Sequence, residues 1–262
     1  MQIQMGADSL CLPKPVYIMQ TASVVGKLEG EGPLGDCFDM ICTDDRFGAD
    51  SWERAESEMQ KESLTLALGK AGMDGEQLRY LFAGDLLGQT IASSFGLMEF
   101  QRPFFGLYGA CSTVGEALSL AAMSVAAGYA DLVAAVTSSH FGGAERQFRF
   151  PIEYANQRPL CSTWTVTGSG AYILGTVKSG AKITGITTGK IMDLGIRDAQ
   201  NMGAAMAPAA SVAAQRSRWH PIICPVSYLA NGNGSYLFRR ERSYLRSVSM
   251  RATVYQALRM VS

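Results

Sequence analysis

Cys111 stands where a chain would build either a nucleophile or an anion site. The run Phe104-Phe105-Gly106-Leu107-Tyr108 is apolar and aromatic, and it reads as a buried strand. Gly109 and Ala110 are small enough for a sharp turn, and a helix of small residues follows from Thr113 to Ala127. The spacing puts Cys111 at a helix N-terminus. There, unpaired backbone N–H groups and the helix dipole favour a thiolate or a bound anion. Acyl-transferring enzymes present a nucleophilic cysteine in this way; a small cysteine packed under a helix is the alternative reading. Nucleophilic catalysis also needs a base. The chain has two histidines, His140 and His220, and His220 lies before Pro221 with no motif around it.

The other polar candidates fall at strand ends. Asp85 closes the buried-strand run Tyr80–Gly84, and Ser138-Ser139-His140 close the run Leu132–Thr137. If these strands run parallel with crossover helices, their carboxyl ends gather at one sheet edge, where α/β proteins bind ligands. Gly30-Glu31-Gly32-Pro33-Leu34-Gly35 fits G-x-G-x-x-G, but no strand precedes it and no helix opens on it, so it reads as turns. Gly168-Ser169-Gly170 is likewise read as a turn. The six cysteines follow no metal spacing, and no cofactor motif is found. A reduced, cytoplasmic setting is the default, and no basic-then-apolar leader precedes the first strand.

The elements that must position these residues are legible in outline. Val16–Met19 is a strand candidate, and residues 22–50 look loop-like. Ser51 is an N-cap for a helix over 52–71 that Gly72 ends; its apolar positions come late, so its first half is expected to be exposed. Residues 86–102 look helical. Residues 138–165 read as a long polar loop, and strands follow at Ala171–Val177 and Ile183–Thr188. The fold class is therefore α/β, a sheet layered with helices.

Charge divides the chain. The formal net charge is zero, yet residues 211–262 hold eight arginines, no lysine and one acid, Glu241, so residues 1–210 carry the acidic excess. The tail has no apolar period, and arginine replacing all lysine is what a shifted reading frame in GC-rich DNA produces. A basic tail for anionic membrane or nucleic acid is the competing reading; nucleic acid is not the expected partner.

Gly106-Leu107-Tyr108-Gly109-Ala110-Cys111-Ser112-Thr113 resembles the nucleophile corner of the thiolase-like superfamily. A wider set of motifs resembles the stage V sporulation protein AD family. It comprises Gly32-Pro33-Leu34-Gly35, Phe82-Ala83-Gly84-Asp85-Leu86-Leu87, Thr137-Ser138-Ser139-His140, Ala144-Glu145-Arg146-Gln147-Phe148-Arg149, Val166-Thr167-Gly168-Ser169-Gly170, Asp193-Leu194-Gly195-Ile196 and residues 201–210. The resemblance covers about residues 12–210. It implies a thiolase-like layered fold in which residues 1–180 are the N-terminal half, 181–210 open the C-terminal half, and 211–262 form an atypical arginine-rich tail. It also implies a sporulation protein that binds dipicolinic acid, or its calcium chelate, for uptake into the forespore. Membrane proteins of the same operon would be its partners, a homodimer its assembly, and the forespore membrane its peripheral location.

Carried over by position, Cys111 occupies the nucleophile place without acting as a catalyst. Cys111, Ser112, Asp85, His140 and Arg146 are the ligand-binding candidates, with no metal and no cofactor. Each has a plainer reading. Asp85 would cap the next helix, His140 would be a satisfied buried histidine, and Arg146 and Arg149 would pair with Glu145 or Glu153. An acyltransferase using Cys111 and a non-functional fragment are the alternative functions.

Overall fold

A computed structural model of the chain describes residues 3–143, 165–189, 224–225 and 256–261. Its elements in order are β1 (Gln4–Met5), β2 (Ser9–Val25), α1 (Lys27–Gly30), β3 (Met40–Ile41), α2 (Trp52–Ala71), β4 (Tyr80–Asp85), α3 (Ile91–Leu97), β5 (Phe104–Gly106), α4 (Thr113–Ala126), β6 (Leu132–Ser139), β7 (Gly168–Gly175), β8 (Lys182–Thr188), β9 (Cys224–Pro225) and β10 (Gln256–Val261). One mixed sheet runs β5-β4-β6-β7-β2-β8-β10-β9. β4 is parallel to β5 and to β6, while β7 is antiparallel to both β6 and β2. β8, in the segment expected to open a second half, pairs antiparallel with β2 in this same sheet.

Side chains that alternate along the strands feed two cores, one on each face. Phe82, Val133, Ala135 and Leu174 pack with Ala117, Leu118 and Ala121 of α4. Leu81, Ala83, Ala134, Val136 and Ile173 pack with Leu64, Ala67 and Leu68 of α2. This period of two, buried on both sides, is why β4 and β6 read as continuous apolar runs. The layers are helix, sheet, helix, as the sequence implied.

Five local expectations are corrected. β2 is far longer than Val16–Met19. Its register to β8 breaks between Cys11 and Val16, the gap that holds Pro13 and Pro15, which have no N–H to give a ladder. Gly168-Ser169-Gly170 is not a turn but the start of β7, paired to β2 on one side and β6 on the other. β5 is not buried: it is the outermost strand, and Phe105 is 48% exposed. The first half of α2 is not exposed either, because Ala55, Glu56, Met59 and Gln60 all face inward. Within 86–102 the helix is short, since Gln89 and Thr90 adopt positive φ before α3. The G-x-G-x-x-G run is a pair of turns, as expected: Gly30 ends α1, and the Gly35 N–H donates to the Gly32 carbonyl at 3.0 Å.

Candidate functional site

The corner around Cys111 is held from three sides. The Leu107 N–H donates to the Ala83 carbonyl at 2.8 Å, which ties the chain leaving β5 to β4. Gly84 makes this approach possible, because a methyl there would overlap the Leu107 carbonyl oxygen and come within 2.6 Å of Thr113 Cγ2. The chain then turns through Ala110, whose φ of 49° lies in the left-handed region that a side chain disfavours. Residues 110–112 form a single 3-10 turn, and α4 starts at Thr113.

Two hydroxyls close the turn. Ser112 Oγ donates to the Gly109 carbonyl at 2.7 Å, and Thr113 Oγ1 donates to the Ala110 carbonyl at 2.7 Å. Ser112 therefore spends its side chain behind the turn and does not cap α4, which has no side-chain cap at its N-terminus. The contrast with α2 is direct, since Ser51 Oγ there accepts from the Arg54 N–H. Cys111 is half-buried at the end of an uncapped 14-residue helix, the place where helix N–H groups and dipole favour a negative group.

Asp85 lies on the same sheet edge, fully buried at the end of β4. Its carboxylate accepts from Thr90 N at 3.2 Å, Ser93 N at 3.3 Å and Ser93 Oγ at 3.1 Å. It caps the first turn of α3, the plainer of its two readings.

His140 follows β6 and is 1% exposed. Gly142 N–H donates to Nδ1 at 3.0 Å, so Nε2 carries the proton and donates to the Asp45 carbonyl at 2.7 Å. Trp52 and Phe141 lie against the ring, with centroids 5.4 and 4.9 Å away. Burial lowers its pKa below the ordinary value, so it is neutral. Both ring nitrogens are used within the protein, so His140 offers no base to Cys111. Arg146 lies outside the described residues, as do Arg149, Glu153 and His220.

Sequence reasoning missed the polar network under this edge. Ser138 Oγ donates to Glu56 Oε1 at 2.7 Å, and Gln60 Nε2 donates to Ser138 Oγ at 2.7 Å and to Ser93 Oγ at 2.9 Å. Ser93 passes the chain on to Asp85. Side chains from α2, β6, α3 and β4 are thus joined beneath the strand ends. Burial first, then the nearby negative charges of Asp85 and Glu53, push the Glu56 carboxyl up to about 8, against the stabilising Ser138 bond. The signal was present: Glu56, Gln60 and Ser63 recur at helical spacing beside Ala55, Met59 and Leu64, on the face that enters the core.

Comparison with known proteins adds three findings. The sequence model of the family described as stage V sporulation protein AD matches residues 6–218. Stage V sporulation protein AD of Bacillus subtilis (strain 168) is 38% identical over 206 residues, 79% of this chain. The chain spans 61% of that relative's length. Among solved structures, 3-oxoacyl-[acyl-carrier-protein] synthase III of Aquifex aeolicus aligns over 73% of this chain and 67% of its own, at 14% identity and a TM-score of 0.48. The priming β-ketosynthase of the R1128 polyketide pathway aligns over 70% of this chain and 56% of its own, at 16% identity and a TM-score of 0.47.

Proposed function

The chain belongs to the stage V sporulation protein AD family, and from that premise we propose that it binds dipicolinate, free or as the calcium chelate, for uptake into the forespore. The observation that carries the reading is the uncapped first turn of α4 behind Cys111. A ligand carboxylate placed there accepts from main-chain N–H groups and meets the positive end of the helix. Asp85 and His140 support the edge without touching the ligand: one holds α3, the other pins the loop at Asp45 to the end of β6.

Calorimetric titration with dipicolinate, with and without calcium, tests this reading. Saturable one-to-one heat is expected, and isophthalate, which lacks the ring nitrogen, is expected to bind more weakly. No saturable heat in either condition overturns the proposal.

The position of Cys111 favours acyl transfer as a second reading. An acyl-CoA would then leave its acyl group on Cys111, seen as added mass on that peptide. The engagement of both His140 nitrogens argues against it.

The assembly we propose is a homodimer across β5. Among the described residues this strand is hydrogen-bonded to β4 alone, with no strand on its other edge. Phe104, Phe105 and Tyr108 are exposed along it, and Ile91, Phe95 and Met98 are exposed on the adjoining α3 segment. An open edge with exposed aromatics invites pairing, and a second copy offers the same edge by two-fold symmetry. Sedimentation velocity should give a dimer that Phe105→Arg converts to monomer. A wild-type monomer at tens of micromolar would remove the dimer. No helix among the described residues is long and apolar enough to cross a membrane, so the contact with membrane partners that we propose is peripheral.

A further inference from the structure

We propose that His140 is a proton-sensitive latch: neutral, it fastens the loop over 43–50 to the end of β6, and protonated, it lets that loop go. The latch stands apart from the dipicolinate reading and does not depend on what the protein binds.

The loop over 43–50 lies between β3 and α2 and has no buried side chain. Its own hydrogen bonds run inward. Asp44 accepts from the Arg46, Phe47 and Gly48 N–H groups, and the Ala49 N–H donates to the Arg46 carbonyl. Phe47 stands at a φ of 52°, in the left-handed region that a large side chain disfavours. Among the described residues, one hydrogen bond ties 43–50 to anything beyond residues 42–54, and it runs from His140 Nε2 to the Asp45 carbonyl at 2.7 Å. Arg46 adds its guanidinium over the Trp52 ring, 4.5 Å from the centroid, and Trp52 in turn lies against His140.

The imidazole can hold the loop this way only when neutral. Its Nε2–H donates to Asp45 while the lone pair of Nδ1 accepts from the Gly142 N–H at 3.0 Å. A proton on Nδ1 removes that acceptor and sets N–H against N–H around a ring that is 1% exposed. The loop, fastened by that ring and little else, is the part that yields. Charged and titratable groups surround the ring on every side. They are Asp45 and Arg46 on the loop, Glu53 and Glu56 on α2, and Asp85 at the end of β4, the strand beside β6. Glu29 is the last: it accepts from the Thr167 N–H, and Thr167 Oγ1 accepts from the Phe141 N–H. Burial disfavours the charged ring and outweighs Asp45 and Glu53, which favour it, so its pKa lies below the ordinary 6.5. Once the loop lets go, the ring regains the ordinary value. The latched form is therefore fully favoured above 6.5 and loses ground as pH falls below it.

Hydrogen exchange followed by mass tests the latch from pH 7.5 to pH 5, with each rate corrected for the intrinsic pH dependence of exchange. The Gly142 amide reads Nδ1 directly, and the amides of 43–50 read the loop. Two of these rest on the Asp44 carboxylate. Its bonds to the Arg46 and Gly48 N–H groups hold it below the ordinary value, so it stays ionised over this range. In the wild type, protection of both segments should fall below pH 6.5, by up to about tenfold for each pH unit, while protection of β4 holds. In His140→Gln, whose amide can still donate toward Asp45 but takes up no proton, protection should not change with pH. Glu29→Gln should fall as the wild type does, because the proton at issue is on His140. Wild-type protection of 43–50 and Gly142 that does not change with pH overturns the proposal, whether or not a variant folds. So does a fall that β4 shares, which is unfolding of the whole sheet, or a fall that H140Q retains or E29Q abolishes.

Discussion

Replacing Glu56 by glutamine is expected to raise stability over the wild type progressively with pH, by roughly 3 kcal/mol more at pH 7 than at the ordinary carboxyl value of 4.5, at about 1.4 kcal/mol for each pH unit between them. The wild-type carboxyl is held at about 8 by burial, against an ordinary value of 4.5. The native state therefore keeps a proton that the unfolded chain has released. Wild-type stability is fully present below the ordinary value and is lost progressively as pH rises through the folded one. Glutamine keeps the shape and can still accept from Ser138, but it has no proton to lose. Its amide introduces a buried donor, a cost that does not change with pH, so the slope of the difference carries the prediction and the intercept does not. Urea unfolding of both proteins from pH 5 to pH 8.5 measures it. The gap should widen steadily toward alkaline pH; a gap independent of pH would show that Glu56 is ionised in the folded state. His140 acts from the other side. Its folded pKa is lowered by burial, so the stability of its neutral form is present above the ordinary value of 6.5 and is lost as pH falls. That contribution cancels in the comparison, because both proteins carry it.

Gly84→Ala is expected to cost roughly 3 kcal/mol or more, the upper range for forcing a methyl into a closed site. The new carbon would overlap the Leu107 carbonyl, and that carbonyl cannot retreat, because Leu107 N–H is bonded to Ala83 and its side chain is buried. The strain falls on the turn that presents Cys111, so Cys111 should also alkylate faster as the corner loosens. Gly69→Ala is the internal control. No atom of the described residues lies within 4 Å of that position, which is in the last turn of α2. Alanine there should stabilise by roughly 0.5–1 kcal/mol. A Gly84 variant as stable as its parent would mean that β4 and the corner are not in the contact described.

The sheet was legible where its strands are buried on both faces. β4, β6 and β8 are short apolar runs, and no helix of that length would bury so many adjacent side chains. α2 and α4 were legible from Ser51, Gly72 and the small-residue run after Thr113. β2 was not, because two prolines sit inside it, and a proline is tolerated only where the ladder is already broken. β5 misled for the opposite reason: Phe104 and Phe105 have the composition of a core strand but sit at an edge.

The site divides along the same line. Cys111 at a helix start is a local pattern and was readable, as was Asp85 capping α3 a few residues on. The partners of His140 were not, since the Asp45 carbonyl that holds it is 95 residues away. Glu56 escaped because a carboxylate in the first half of a helix suggests solvent, and what it meets inside, the Ser138 hydroxyl that donates to it and the Asp85 charge that raises its pKa, comes from other strands.

The most direct test of the central claim is protection of Cys111 by ligand. The protein is labelled with iodoacetamide with and without saturating dipicolinate, and each cysteine peptide is followed by mass. Exposed Cys37 serves as the unprotected reference. Dipicolinate seated on the first turn of α4 should slow labelling of Cys111 and leave Cys37 unchanged. Equal labelling of Cys111 with and without dipicolinate, under conditions where calorimetry records binding, would place the ligand elsewhere and contradict the account.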